Sequence, residues 1–144
     1  MGQPTEEALR QDELCNRNMC SLANNFIDFG FTVLMDTVLA DRSELDFFIT
    51  LMSPRPVRLV VLAPGIEACK ARNAGHDADE QFNFDGYERL EADMQREFDD
   101  VGWWLDTSTM TADQTADRLV QDLATRTTAL LPEWNSWLRR LHDA

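Results

Sequence analysis

Arg58-Leu59-Val60-Val61-Leu62-Ala63-Pro64-Gly65 is the stretch on which the fold turns. Its apolar residues run consecutively, with no alternating polar position that a solvated sheet face would need. Such a short, bounded run reads as a strand buried on both faces, the habit of parallel sheets. Pro64-Gly65 breaks the strand, and Ile66, Cys69 and Arg72 follow on a helix.

Outward from this run, strand and helix signals alternate. Toward the N-terminus, Ser53-Pro54-Arg55-Pro56 stops a helix that carries Leu45, Phe47, Phe48 and Leu51, and Ser43 with Asp46 three residues on resembles its capping box. Phe31-Thr32-Val33-Leu34-Met35 is a second bounded apolar run, expected as a buried strand ending on Asp36. Before it, Leu9, Cys15, Met19, Leu22, Ala23, Phe26 and Ile27 keep helical spacing, so one long helix is expected over 5–29, with Gly30 as its left-handed stop.

Toward the C-terminus, residues 73–85 are polar and glycine-containing and read as a loop anchored by Phe82 and Phe84. Tyr87, Leu90, Met94 and Phe98 resume helical spacing, and Trp103-Trp104-Leu105-Asp106 is a third strand candidate. Thr111 with Gln114 forms a capping box for a helix presenting Ala116, Leu119, Val120 and Leu123. Pro132 introduces a final helix with a Trp134, Trp137, Leu138, Leu141 stripe. Strands separated by helices imply βαβ crossovers, and the expected class is α/β: a three-layer sandwich around a mainly parallel sheet. Residues 1–128 read as one α/β domain and 129–144 as an amphipathic helix packed on it or extending it.

The 144 residues, 44% of them hydrophobic, suffice to bury a core. A formal net charge of −13 argues against nucleic acid or an anionic membrane surface as partner, because the field repels phosphates. No apolar run approaches the roughly 20 residues of a membrane span. Cys15, Cys20 and Cys69 form an odd set without a CxxC pair, which points to a reducing, cytoplasmic setting. Cys15 and Cys20 lie about 140° apart around a helix, so no metal site is expected from them.

The order of these runs is similar to the later part of P-loop kinases. Gly30 to Asp36, then Arg58 to Pro64 with Glu67 and Arg72-Asn73, then Gly102-Trp103-Trp104-Leu105-Asp106-Thr107-Ser108 and Met110-Thr111 carry the resemblance over about residues 5–123. The nearest likeness is to the chloramphenicol phosphotransferase-like group, with gluconate and adenylylsulfate kinases as relatives. The resemblance implies ATP and Mg²⁺ as cofactors and a small-molecule acceptor. In the family a G-x-x-x-x-G-K-[ST] loop cradles the phosphates. This chain contains no such motif, and its single lysine, Lys70, stands within a helix. The implied fold is therefore a truncated P-loop kinase-like one, lacking the phosphate-loop strand between the Phe31 and Arg58 runs, and inactive alone. Either the two flanking runs pair directly, or another chain fills the gap, or the sequence is a fragment or begins at an internal methionine; the resemblance favours the last, because Met1-Gly2-Gln3-Pro4 falls where the family runs on from its second strand.

Candidate site residues follow from that likeness. Asp36, at a strand's carboxyl end, corresponds to a position that holds the Mg²⁺ shell or activates an acceptor hydroxyl; a solvated acid opening a loop is the plainer reading. Arg72 corresponds to a lid arginine facing the phosphates, or else forms a surface ion pair with Glu67 or Asp77. Asp106 and Thr107, with Ser108, correspond to the loop near the nucleotide, although turn chemistry explains the same residues. His76 is an acid or base candidate by residue type alone, with no nucleophile paired to it by spacing. From His76 to Asp100 ten carboxylates stand against Arg89 and Arg96, a local balance of −8 that opposes a nucleotide phosphate and otherwise forms a solvated acidic face. The competing function is a non-catalytic interaction module derived from a P-loop domain, with an uncovered sheet or the Trp134 and Trp137 stripe as homodimer contacts.

Overall fold

Local chemistry begins and ends the first helix as the sequence requires. The computed structural model describes residues 5–39, 41–81, 83–98 and 100–131. Helix α1 spans Glu6–Asp28, and the Thr5 side chain accepts the Ala8 N–H at 3.1 Å to cap it. At its C-terminus Gly30 takes φ +88°. The Gly30 N–H donates to the Ile27 carbonyl (2.9 Å) and the Phe31 N–H to the Phe26 carbonyl (3.1 Å), the paired bonds of a Schellman stop. The Phe26 and Phe31 rings meet edge to face across it, with centroids 5.8 Å apart.

Helix α2 spans Arg42–Met52. Its cap is Asp41 rather than Ser43: the Asp41 carboxylate accepts the Glu44 N–H at 3.1 Å and the Ser43 hydroxyl at 2.6 Å. These bonds hold the Asp41 carboxyl below its ordinary range. An ionised acid is the stronger acceptor and favours the positive end of the helix, which is why it displaces the neighbouring serine.

The chain divides into two compact units, one built on the described residues up to Val57 with Leu130, the other on Arg58–Ala129. In the first, α1 packs on α2. Cys20 and Ala23 of α1 and Leu45, Phe48, Ile49 and Met52 of α2 are buried. Burying the four large α2 side chains stabilises by about 1.5–3 kcal/mol each. Asn24 donates to the Leu51 carbonyl (3.1 Å) and accepts from Arg55 (2.9 Å), whose other terminal nitrogen pairs with Asp28. An isolated antiparallel bridge joins Val57 to Leu130.

In the second unit, β1 (Val60–Leu62) pairs in parallel with β2 (Trp103–Leu105), in the register Val60 to Trp103 and Leu62 to Leu105. Between them run α3 (Ile66–Asn73) and α4 (Tyr87–Phe98), and α5 (Ala112–Arg126) follows. Gly102 lies close against the sheet: a Cβ there would stand 3.1 Å from a Leu59 methyl, which would have to give by a few tenths of an ångström. The Thr111 side chain and Gln114 make the expected reciprocal capping box at the start of α5. Near the end of that helix, Arg58 donates to the Thr127 carbonyl (2.6 Å) and hydroxyl (3.0 Å), so the start of the unit's chain is tied to its close.

The architecture is a mixed α/β fold with a small parallel sheet, two-stranded among the described residues. Several expectations are corrected. Phe31–Met35 forms no strand, and Phe31 and Leu34 are exposed. An apolar run becomes a strand only where a neighbour supplies its backbone hydrogen bonds, and no described segment pairs with this one. The Arg58–Ala63 strand is shorter than expected and Leu62 is half-exposed, so it is not buried on both faces. Val120 of α5 points to solvent, as its 85% exposure shows. The Pro132 helix with Trp134 and Trp137 lies outside the described residues, as does Phe82. No helix among the described residues is long and apolar enough to cross a membrane.

Candidate functional site

Parallel pairing of β1 and β2 puts the turns that follow both strands at one sheet edge, the edge where open α/β sheets gather ligand-binding loops. After β1 the chain reaches Gly65, whose φ of +76° turns it into α3. One residue before the end of α3, Arg72 reaches across to the loop after β2. Its Nη2 donates to the Thr107 carbonyl (2.5 Å) and to the Met110 carbonyl (3.3 Å). Arg72, Asp106 and Thr107 are thus brought together.

Their geometry differs from the roles the resemblance implies. Arg72 braces a loop through carbonyl oxygens, in place of the surface ion pair with Glu67 or Asp77; Glu67 faces Lys70 at 3.9 Å. Thr107 is only 3% exposed, so its side chain belongs to the packed interior of the loop. Asp106 is solvent-exposed and accepts the Ser108 N–H at 2.8 Å, an Asx turn. That backbone bond, and then the Ser108 side chain, lower its carboxyl below the ordinary value. The loop is held from both ends: Asp106 fixes its first turn, and the Met110 N–H donates to the Thr107 carbonyl at 3.2 Å.

Asp36 belongs to the other unit and is exposed in the 31–39 segment; the strand that was to set it at a sheet edge does not form. His76 is exposed, and its backbone joins turns with Asn73 and Gln81.

A feature without a sequence signal lies between the sheet and α4. Val61, Leu62, Ala63, Trp104, Tyr87, Leu90, Glu91 and Met94 line a cavity of about 50 Å³. That holds a few water molecules and falls far short of the roughly 300–1,000 Å³ of small-molecule sites. Trp104 Nε1 is buried with no hydrogen-bond partner among the described residues. At the rim the Cys69 thiol donates to the Tyr87 hydroxyl at 3.4 Å, and burial foremost, then that contact, drives the Tyr87 phenol well above its ordinary value. The pair is local to α3 and α4, yet the 18-residue separation hides it from pattern reading. Among the described residues no group of three or more His, Cys, Asp or Glu side chains is placed to hold a metal ion.

Compared with protein-family models, curated proteins and solved structures, the chain matches none.

Proposed function

We propose that this chain carries the later half of a P-loop-kinase-like phosphotransferase scaffold, a truncated three-layer α/β arrangement, and that it does not transfer phosphate alone. The observation that supports the reading is the α3 arginine fastened to the loop after the next parallel strand: Arg72 on the Thr107 and Met110 carbonyls. That contact couples a lid helix to the strand edge where a nucleotide lies in such scaffolds. In an intact parent, an acceptor hydroxyl attacks the γ-phosphate of Mg-ATP, with Arg72 positioning the edge and Asp106 and Thr107 shaping the nucleotide side.

Phosphate binding by this chain alone fails on charge. A triphosphate needs a cradle of backbone amides with a lysine and a metal ion. None of the six glycines belongs to such a loop, the single lysine faces Glu67, and the 76–100 segment carries a balance of −8. The competing reading, a non-catalytic interaction module, is favoured by the exposed apolar side chains of the first unit, Phe29 and Leu34 foremost.

Calorimetric titration of the full chain with Mg-ATP is expected to give no binding heat up to millimolar nucleotide; micromolar affinity would overturn the claim that the chain is inactive alone. The coding DNA upstream of Met1 tests the parent. An in-frame G-x-x-x-x-G-K-[ST] supports it, whereas stop codons directly before Met1 sink the version in which translation starts further upstream.

A further inference from the structure

Helix α1 carries two apolar stripes, and α2 covers only one of them. The stripe through Cys20 and Ala23 is buried against α2. A second stripe, Cys15, Met19, Leu22, Phe26 and Phe29, repeats at spacings of four and three, the seam pattern of paired helices. It faces outward: Leu22 is 58% exposed, Phe26 47% and Phe29 85%. The Schellman stop extends the patch past the helix end, because Phe31, 61% exposed, stacks edge-on against Phe26.

We propose that this face is the contact between two copies of the chain, α1 against α1 about a two-fold axis. The argument is one of charge and area, and it does not depend on the phosphotransferase reading. Two molecules of net charge −13 repel each other, so a contact between them is confined to surface that carries no unpaired carboxylates. Asn18–Ile27 is a ten-residue run without a charged side chain, in a chain of which 27% is charged. Asn16, Asn18 and Asn25 flank the seam, and none of them sets like charges against each other when the face meets its own copy; Ala23 beside it is covered by α2. The charges at either end of the run are paired within the chain, Glu13 with Arg17 at 2.8 Å and Asp28 with Arg55.

The area approaches what a specific dimer needs. Phe26, Phe29 and Phe31 together expose about two whole phenylalanine surfaces, roughly 300–500 Å², so a symmetric pair buries roughly 600–1,000 Å² from the rings alone. Leu22, on the same stripe, carries the total toward the lower end of the roughly 1,200–2,000 Å² of specific interfaces. A symmetric contact presents each residue twice, so one substitution removes two contacts.

Sedimentation equilibrium of the full chain is expected to give twice the 16.5 kDa chain mass. Leu22→Asp and Phe29→Asp, both at exposed positions, are expected to keep the far-ultraviolet circular dichroism of the parent and to weaken the dimer at least about tenfold. Val120→Asp, equally exposed on α5, is expected to leave it unchanged. A parent chain that stays at the monomer mass to millimolar concentration overturns the proposal, even if it binds some other protein. So does a Leu22→Asp chain that dimerises as tightly as the parent, or a dimer lost only in Val120→Asp.

Discussion

Replacing Arg72 tests whether the strand-edge loop is held from α3. The guanidinium gives two hydrogen bonds, to the Thr107 and Met110 carbonyls, and Thr107 itself is buried. A hydrogen bond from a charged donor contributes about 1.5–3 kcal/mol when desolvated. Arg72 is an exposed residue, so solvent screening reduces the pair to about 1–2 kcal/mol in total. Arg72→Ala should therefore open the 106–111 loop by that amount and speed amide exchange about 5–30-fold at Ser108 and Met110, whose N–H groups bond within it. Amides of the first unit, such as Glu44 on its Asp41 cap, should be unchanged. Arg72→Lys is the discriminating variant. An ammonium keeps the charge but lacks the planar fork, so it should recover less than half of the lost protection. Hydrogen exchange followed residue by residue by NMR reads all three chains. Protection within twofold of the parent in Arg72→Ala, or full protection in Arg72→Lys, would refute the brace.

Two further outcomes follow from packing. Tyr87 is the chain's single tyrosine, so tyrosinate absorbance reports it alone. Its folded pKa is raised above the ordinary value of 10.0 by burial, then by the Cys69 contact, then by the charges of Cys69 and Glu91. A raised folded pKa means that its contribution to stability is complete below pH 10 and is lost as pH climbs from there toward the folded value. The folded chain should thus titrate later than the urea-unfolded chain, and Cys69→Ala should move it partway back; coincident curves would contradict the contact. Phe98 at the end of α4 is completely buried, so Phe98→Ala should cost about 3–5 kcal/mol in urea unfolding. A cost under about 1 kcal/mol would mean that the end of α4 is not packed.

The contact between α3 and the loop after β2 is only half legible in the sequence. Family likeness singles out Arg72, and separately Asp106 and Thr107, and the structure brings them together, but the partners of the arginine are carbonyl oxygens 35 and 38 residues away. Backbone acceptors leave no trace in residue identity, so no pattern could have named them. The orphaned Trp104 indole and the small cavity beside α4 were invisible for the same reason: each is a property of several segments packed together. Phe31–Met35 shows the converse error. Its apolar content read as a buried strand, whereas strand formation depends on a pairing partner elsewhere in space.

What the sequence alone determined is therefore what closes within a few residues. Thr5 and Thr111 with Gln114 start helices, Gly30 stops one, and Pro64-Gly65 separates β1 from α3. Each is a hydrogen bond or backbone angle set by residues no more than about five apart. Tertiary structure decided which apolar runs acquire neighbours: it paired Val60–Leu62 with Trp103–Leu105, left Phe31–Met35 unpaired, and turned one stripe of α1 inward and the other outward. Burial is a competition among all apolar surfaces of the folded chain, and a local pattern ranks a segment for that competition without naming the surface that will cover it.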